Sequence, residues 1–195
     1  PEPTNTPKPE KDEITIKNGV YHLYSDGTAE LIRLKKRSIT SLTIPATIKA
    51  NGKTYKVTSI QEWSCFELTR LKKVSIGENV KKVSHHAFFG CTSLKTVSGG
   101  KGLVTIGESA FEYCKKLNTF TFYSKVKKIG EEAFMGCSSL KTILFKTKKL
   151  TSGNVGKNAF RDIHYKAVVT CPSGKKSTYK KFLLKKGMER SVKFK

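Results

Sequence analysis

The sequence predicts an α/β repeat fold, a solenoid of 23-residue coils. One string, V-x-x-I-x-x-x-A-F-x-x-C-x-x-L-x-x-V with apolar replacements, recurs at constant spacing over Val80–Val97, Leu103–Phe120 and Val126–Ile143. Apolar residues also fall into columns at 23-residue steps: Ile60, Val83, Ile106, Ile129; Leu71, Leu94, Leu117, Leu140; and Val74, Val97, Phe120, Ile143. One unit cannot bury so many apolar side chains alone, whereas stacked units bury them in a continuous core.

Each coil divides into three pieces. Leu-x-x-Val-x-Ile, as in Leu71 to Ile76, ends in period-two alternation and predicts a short strand. Val-x-x-Ile predicts a second extended piece. Between Ile106 and Leu117, the run Gly107-Glu108-Ser109-Ala110-Phe111 predicts one short helical turn per coil. Glu62, Glu108 and Glu131 occupy its acidic first position, where a helix N-terminus favours negative charge. A fifth unit has Val155, Ala159, Phe160 and Ile163 at the expected positions, three residues late, so Lys146 to Asn154 carries an insertion.

The Ala-Phe-x-x-Cys element at 87–91, 110–114 and 133–137 resembles the BspA-type leucine-rich repeats of bacterial surface proteins. The flanks share the resemblance: Tyr21-x-Leu-x-Ser-Asp-Gly-Thr-Ala-Glu30, Leu42-Thr-Ile-Pro45 and Gly52-Lys-Thr-Tyr-Lys-Val57. The resemblance implies a right-handed leucine-rich-repeat solenoid, exposed on the cell surface of an exported bacterial protein and used in adhesion and binding. It brings no catalytic residues, so the chain reads as a non-enzyme without a cofactor.

The expected organisation has four parts. Residues 1–13 are a Pro-rich linker, with four of the six prolines and no large apolar side chain. Residues 14–54 form a β-rich N-terminal cap, 55–165 about five coils, and 166–195 an α/β C-terminal cap. In that last part, Ala167–Pro172 reads as a strand and Ser177–Leu184 as a helix with Tyr179, Phe182 and Leu183 on one face. The chain does not open with Met, which reads as a processed or trimmed chain. No run is apolar enough to span a bilayer.

The chain is strongly basic. Lys and Arg number 38 against 15 acids, a net +23, and the region from 55 onward holds 29 basic and 9 acidic residues. Stacking puts equal repeat positions in line, so Lys72, Lys95 and Lys141 share a row broken by Asn118. Lys81 and Lys127 share another, as do Lys82 and Lys128. Such ladders would attract polyanions. The competing reading is that lysine merely fills solvated positions. Nucleic acid is disfavoured: only five basic residues are Arg, whose fork suits phosphate, and no exposed aromatic row offers base stacking.

The second candidate surface is the outward face of the Leu-x-x-Val-x-Ile strands. It comprises Lys73, Thr96, Thr119 and Thr142 in one row, and Ser75, Ser98, Thr121 and Leu144 in the next. Its hydroxyls could bond a protein or glycan, or threonine could simply be a good strand former there. Cys91, Cys114 and Cys137 share an inward column and read as free buried thiols rather than disulfides. His85-His86 reads as a solvent-facing variation, and Trp63 as packing on the N-terminal cap or serving as a surface anchor. No spacing matches a zinc site. The expected partner is therefore an extracellular protein or glycan, with anchoring to an anionic polymer as the alternative, and the chain reads as a monomer.

Overall fold

A computed structural model describes residues 9–195, with side chains from Glu13 onward. The N-terminal block contains β1 (Pro9–Ile16), β2 (Gly19–Tyr24), β3 (Thr28–Leu34), β4 (Ser41–Ile44), β5 (Thr47–Ala50) and β6 (Lys53–Ile60). The coils contribute β7 (Lys73–Ile76), β8 (Lys82–Val83), β9 (Thr96–Gly99), β10 (Thr105–Ile106), β11 (Thr119–Phe122), β12 (Lys128–Ile129) and β13 (Thr142–Phe145). The chain closes with β14 (Val168–Thr170), α1 (Lys176–Leu184) and β15 (Lys193–Phe194). Of the linker expected over 1–13, the first eight residues lie outside those described, and Pro9–Glu13 instead belongs to β1.

Two sheets form the long sides. One runs β1-β2-β3-β6-β8-β10-β12, with β5 also on β6, and the other runs β4-β7-β9-β11-β13-β14-β15. Successive coils pair parallel and in register, Ile60 with Val83, Val83 with Ile106 and Ile106 with Ile129. The core between the sheets is built of columns. Leu71, Leu94, Leu117 and Leu140 are fully buried on successive coils. Phe88, Phe111, Phe134 and Phe160 stack with centroids 5.2, 5.3 and 5.6 Å apart, a geometry that adds to simple burial. The insertion before Val155 loops out, and Val155 still bridges to Ile129.

The third side of each coil is not a helical turn. Its N–H groups divide their bonds: His86, Phe88 and Gly90 donate to Glu108, Ala110 and Glu112 of the next coil, while Ala87, Phe89 and Cys91 donate within their own coil. A helical turn would keep all of these inside one coil. The alternation requires left-handed residues, and Trp63, His86, Ser109, Glu132 and Asn158 all have φ between 50 and 59°. Such backbone is costly for residues other than glycine, and the bonds between coils offset that cost. With no helix there, the acids at 62, 108 and 131 face no helix dipole.

The end blocks are continuous with the sheets. Leu31 of β3 pairs with Ile60, and Leu42 of β4 with Val74, so both sheets gain a rung from the N-terminal block. At the other end β14 and β15 extend the seven-stranded sheet. α1 buries Tyr179, Phe182 and Leu183, and the Tyr179 hydroxyl donates to the Thr147 carbonyl at 2.8 Å. Val97 departs from its column: Val74, Phe120 and Ile143 are buried, but Val97 is only half-buried beside Gly99 and Gly100.

Candidate binding surfaces

The outer face of the seven-stranded sheet assembles all four residues of the first expected row. Lys73 lies beside Thr96, Thr96 beside Thr119, and Thr119 beside Thr142. Ser41 extends the row at one end and Val168 at the other. The second row is interrupted. Ser75 pairs with Ser98 and Thr121 with Leu144, but β9 and β11 are in register only at Thr96 and Thr119. The cause is Gly99, which has φ 75° and stands opposite Ile76, where a Cβ would run into the Ile76 carbonyl. Ser98 is correspondingly engaged, its hydroxyl donating to the Val74 carbonyl at 3.3 Å.

The lysine rows are sparser than the periodicity implies. Lys95 donates its N–H to Lys72, Asn118 to Lys95 and Lys141 to Asn118, so that row is continuous apart from the asparagine. Lys81 and Lys127 are separated by Val104, and Lys82 and Lys128 by Thr105. Each pair is thus two coils apart, roughly 10 Å at the strand spacing. All seven side chains are exposed. Among the described residues the ion pairs are Glu13 with Arg33 and with His22, and Arg161 with Asp162, so no lysine is neutralised by a carboxylate.

Four of the five thiols are buried. Cys91, Cys114 and Cys137 are free and buried, and each donates to a carbonyl of the preceding coil: Cys65, Phe88 and Phe111 at 3.1, 3.3 and 3.2 Å. Burial pushes the Cys65 and Cys91 thiols up to about 12 and raises Cys114 and Cys137 as well. Burial thus keeps these four thiols in their protonated, weakly nucleophilic form. Among the described residues, no group of three His, Cys, Asp or Glu is placed to hold a metal ion.

The third side carries a cluster that periodic reasoning missed. Trp63 is the centre of this cluster. It is 44% exposed and stacks flat on His86 of the next coil, centroids 4.0 Å apart. Phe66 and Phe89 lie beside it, and Tyr113 meets Phe89 edge-on. The N-terminal block reaches the cluster through Arg37, whose guanidinium lies 4.7 Å over the Phe66 ring. His86 is therefore half-buried rather than solvent-facing, and its Nδ1 has no partner. The signal was available: 63 and 86 share one column, and 66 and 89 another. Beneath the cluster Glu112 is buried, and desolvation raises its carboxyl above the usual range despite a hydrogen bond from Ser109.

With two sheets, a Leu column and a third Ala-Phe-x-x-Cys side, the architecture matches a known profile. The profile of the BspA type leucine rich repeat region matches in six copies over residues 58–185. The chain belongs to the BspA-type leucine-rich repeat family. Six copies exceed the five coils expected, and the matched span reaches into the C-terminal block. No match was found among curated proteins. Among solved structures, this BspA-type chain is similar to the leucine-rich repeat protein TpLRR of T. pallidum. That pair is 25% identical over 84% of this chain and 73% of that one, with TM-score 0.68. A leucine-rich repeat protein from Bacteroides capillosus is 28% identical over 68% and 97%, TM-score 0.61. The pneumococcal vaccine antigen PcpA shares the fold at 20% identity and TM-score 0.64, and the BspA-type chain spans about half of it (51%).

Proposed function

We propose that this chain is a non-catalytic binding module of an exported bacterial surface protein, recognising an extracellular protein or glycan through the outer face of its seven-stranded sheet. The observation that carries this reading is the row Lys73, Thr96, Thr119 and Thr142, side by side on adjacent parallel strands. Among the described residues no internal hydrogen bond uses those three threonine hydroxyls, in contrast to Ser98. Exposure at the cell surface rests on the family.

A second reading is anchoring to an anionic cell-wall polymer through Lys72, Lys95, Lys141, Lys81, Lys82, Lys127 and Lys128. The absence of ion-paired lysine among the described residues favours it. Salt separates the two, because binding by counterion release weakens steeply as salt rises. Binding to a panel of immobilised matrix proteins, mucin glycans and teichoic acid is measured at low and physiological salt, with wild type and T96V/T119V/T142V. The first reading expects one preferred ligand that survives physiological salt and is lost about tenfold or more, some 1.4 kcal/mol, in the valine variant. Valine keeps the strand preference and removes only the hydroxyls. An unaffected variant would sink the first reading.

A further inference from the structure

We propose that a groove along the corner between the two sheets binds a linear anionic glycan. The site goes beyond both readings above, because it is a walled channel away from the threonine face that shares only Lys81 with the lysine rows. It consists of two clefts of about 700 and 500 Å³ that share Glu78, Asn79, Gly102 and Lys125. They therefore form one continuous groove.

The wall on one side has no counterpart in the central coils. Leu42 and Val74 are in register but 32 residues apart, nine more than a standard coil. The excess forms the β5–β6 hairpin, whose Thr47 and Thr54 line the groove. The floor is low because position 102 is glycine. A Cβ there would run into the Glu78 carbonyl and lie 3.0 Å from that of Val80. Its column neighbours Asn79 and Lys125 rise on either side.

Five exposed lysines converge on this groove: Lys56 from β6, and Lys81, Lys101, Lys125 and Lys146 from successive corners. Two acids oppose them. Asp26 is held by its own turn, accepting from the Thr28 N–H at 2.9 Å and the Thr28 hydroxyl at 2.6 Å. Both carboxylates keep their charge, so five lysines against two acids leave the groove net positive. A concave, single-sign surface concentrates a polyanion more than isolated surface charges do.

The lining selects the kind of polyanion. Thr47, Thr54, Thr58 and Ser124 offer hydroxyls to sugar hydroxyls. No arginine lines the groove, so the bidentate fork that suits phosphate is missing. The one aromatic, Tyr123, is covered by Lys146 Nζ at 5.3 Å and is not a free stacking platform. Lysines contributed by successive coils suit a ligand with acidic groups repeated along a chain.

The test uses polygalacturonate, heparin, neutral dextran and oligothymidylate as probes at physiological salt. Three variants accompany the wild type. K101Q/K125Q/K146Q strips the groove. K72Q/K95Q/K141Q removes equal charge from the open row. T54W fills the groove and leaves charge unchanged. The expected result is binding of one or both acidic glycans, falling about tenfold or more in the groove variant and in T54W and far less in the row variant. Binding of polygalacturonate means that carboxylates suffice, and binding of heparin alone means that sulfate is needed. Equal loss in both charge variants, an unaffected T54W, tighter binding of oligothymidylate, or no glycan binding at physiological salt would each overturn the proposal. None of these outcomes touches the threonine face, which T96V/T119V/T142V tests separately.

Discussion

The central coils and the N-terminal block are made by the same stacking, yet they differ in relief. From Val80 to Phe145 each coil has the same length, and the columns are filled except around Val97 and Gly99. In the N-terminal block the rungs are kept, Leu31 to Ile60 and Leu42 to Val74, but the chain between them is longer and stands out as a hairpin. Regular repetition makes a core, and departure from it makes a concave surface. Where the insertion falls determines where a ligand has walls to meet.

Core substitutions probe that contrast with the largest expected effect. Leu117→Ala, in a fully buried column with a coil on each side, is expected to cost about 2–5 kcal/mol. Leu42→Ala, on the edge strand β4, is expected to cost clearly less because one side of its rung has no partner strand. Urea unfolding of both variants measures the difference, and equal losses would mean that the N-terminal rung is as tightly integrated as the centre.

Thiol chemistry gives a second, smaller contrast. Native protein should expose one slowly reacting thiol, the half-buried Cys171, with the other four reacting only on unfolding. The pH dependence has a definite sign. An unfolded thiol ionises near 8.5, whereas Cys65 and Cys91 hold their protons to about 12. Stability is therefore unaffected by these groups at neutral pH, falls as pH rises past the unfolded value, and levels off above the folded one. Rapid labelling of several native thiols would show that the columns open locally.

The smallest effect concerns Glu112 beneath the aromatic cluster. Its folded carboxyl titrates above its unfolded value because it is desolvated. The folded state binds that proton more tightly, so stability is lost as pH rises from the unfolded value through the folded one. Glu112→Gln should thus raise the melting temperature slightly at neutral pH and make no difference in acid. A lower melting temperature at neutral pH would mean that the carboxylate is needed, for instance beside His86.

Much of the inside was legible in the residues themselves. The Leu, Ile and Phe columns, the Cys column and the buried face of α1 follow from periodicity, because an inward position in a stack must be apolar on every coil. The outer rows were legible as positions but not as neighbours. Val104 between Lys81 and Lys127, and the break at Gly99, follow from which coils touch. The third side is not legible for a related reason: Gly107 to Phe111 is locally compact, but whether its N–H groups bond inward or across depends on the adjacent coil.

Sequence alone determined that this chain stacks, which side chains it buries and which family it belongs to, since burial in a solenoid is dictated by composition at each repeat position. Tertiary structure alone decided the left-handed third side, the stack of Trp63 on His86, and the groove under the β5–β6 hairpin. Those depend on distances between residues of different coils, and no single coil encodes such distances.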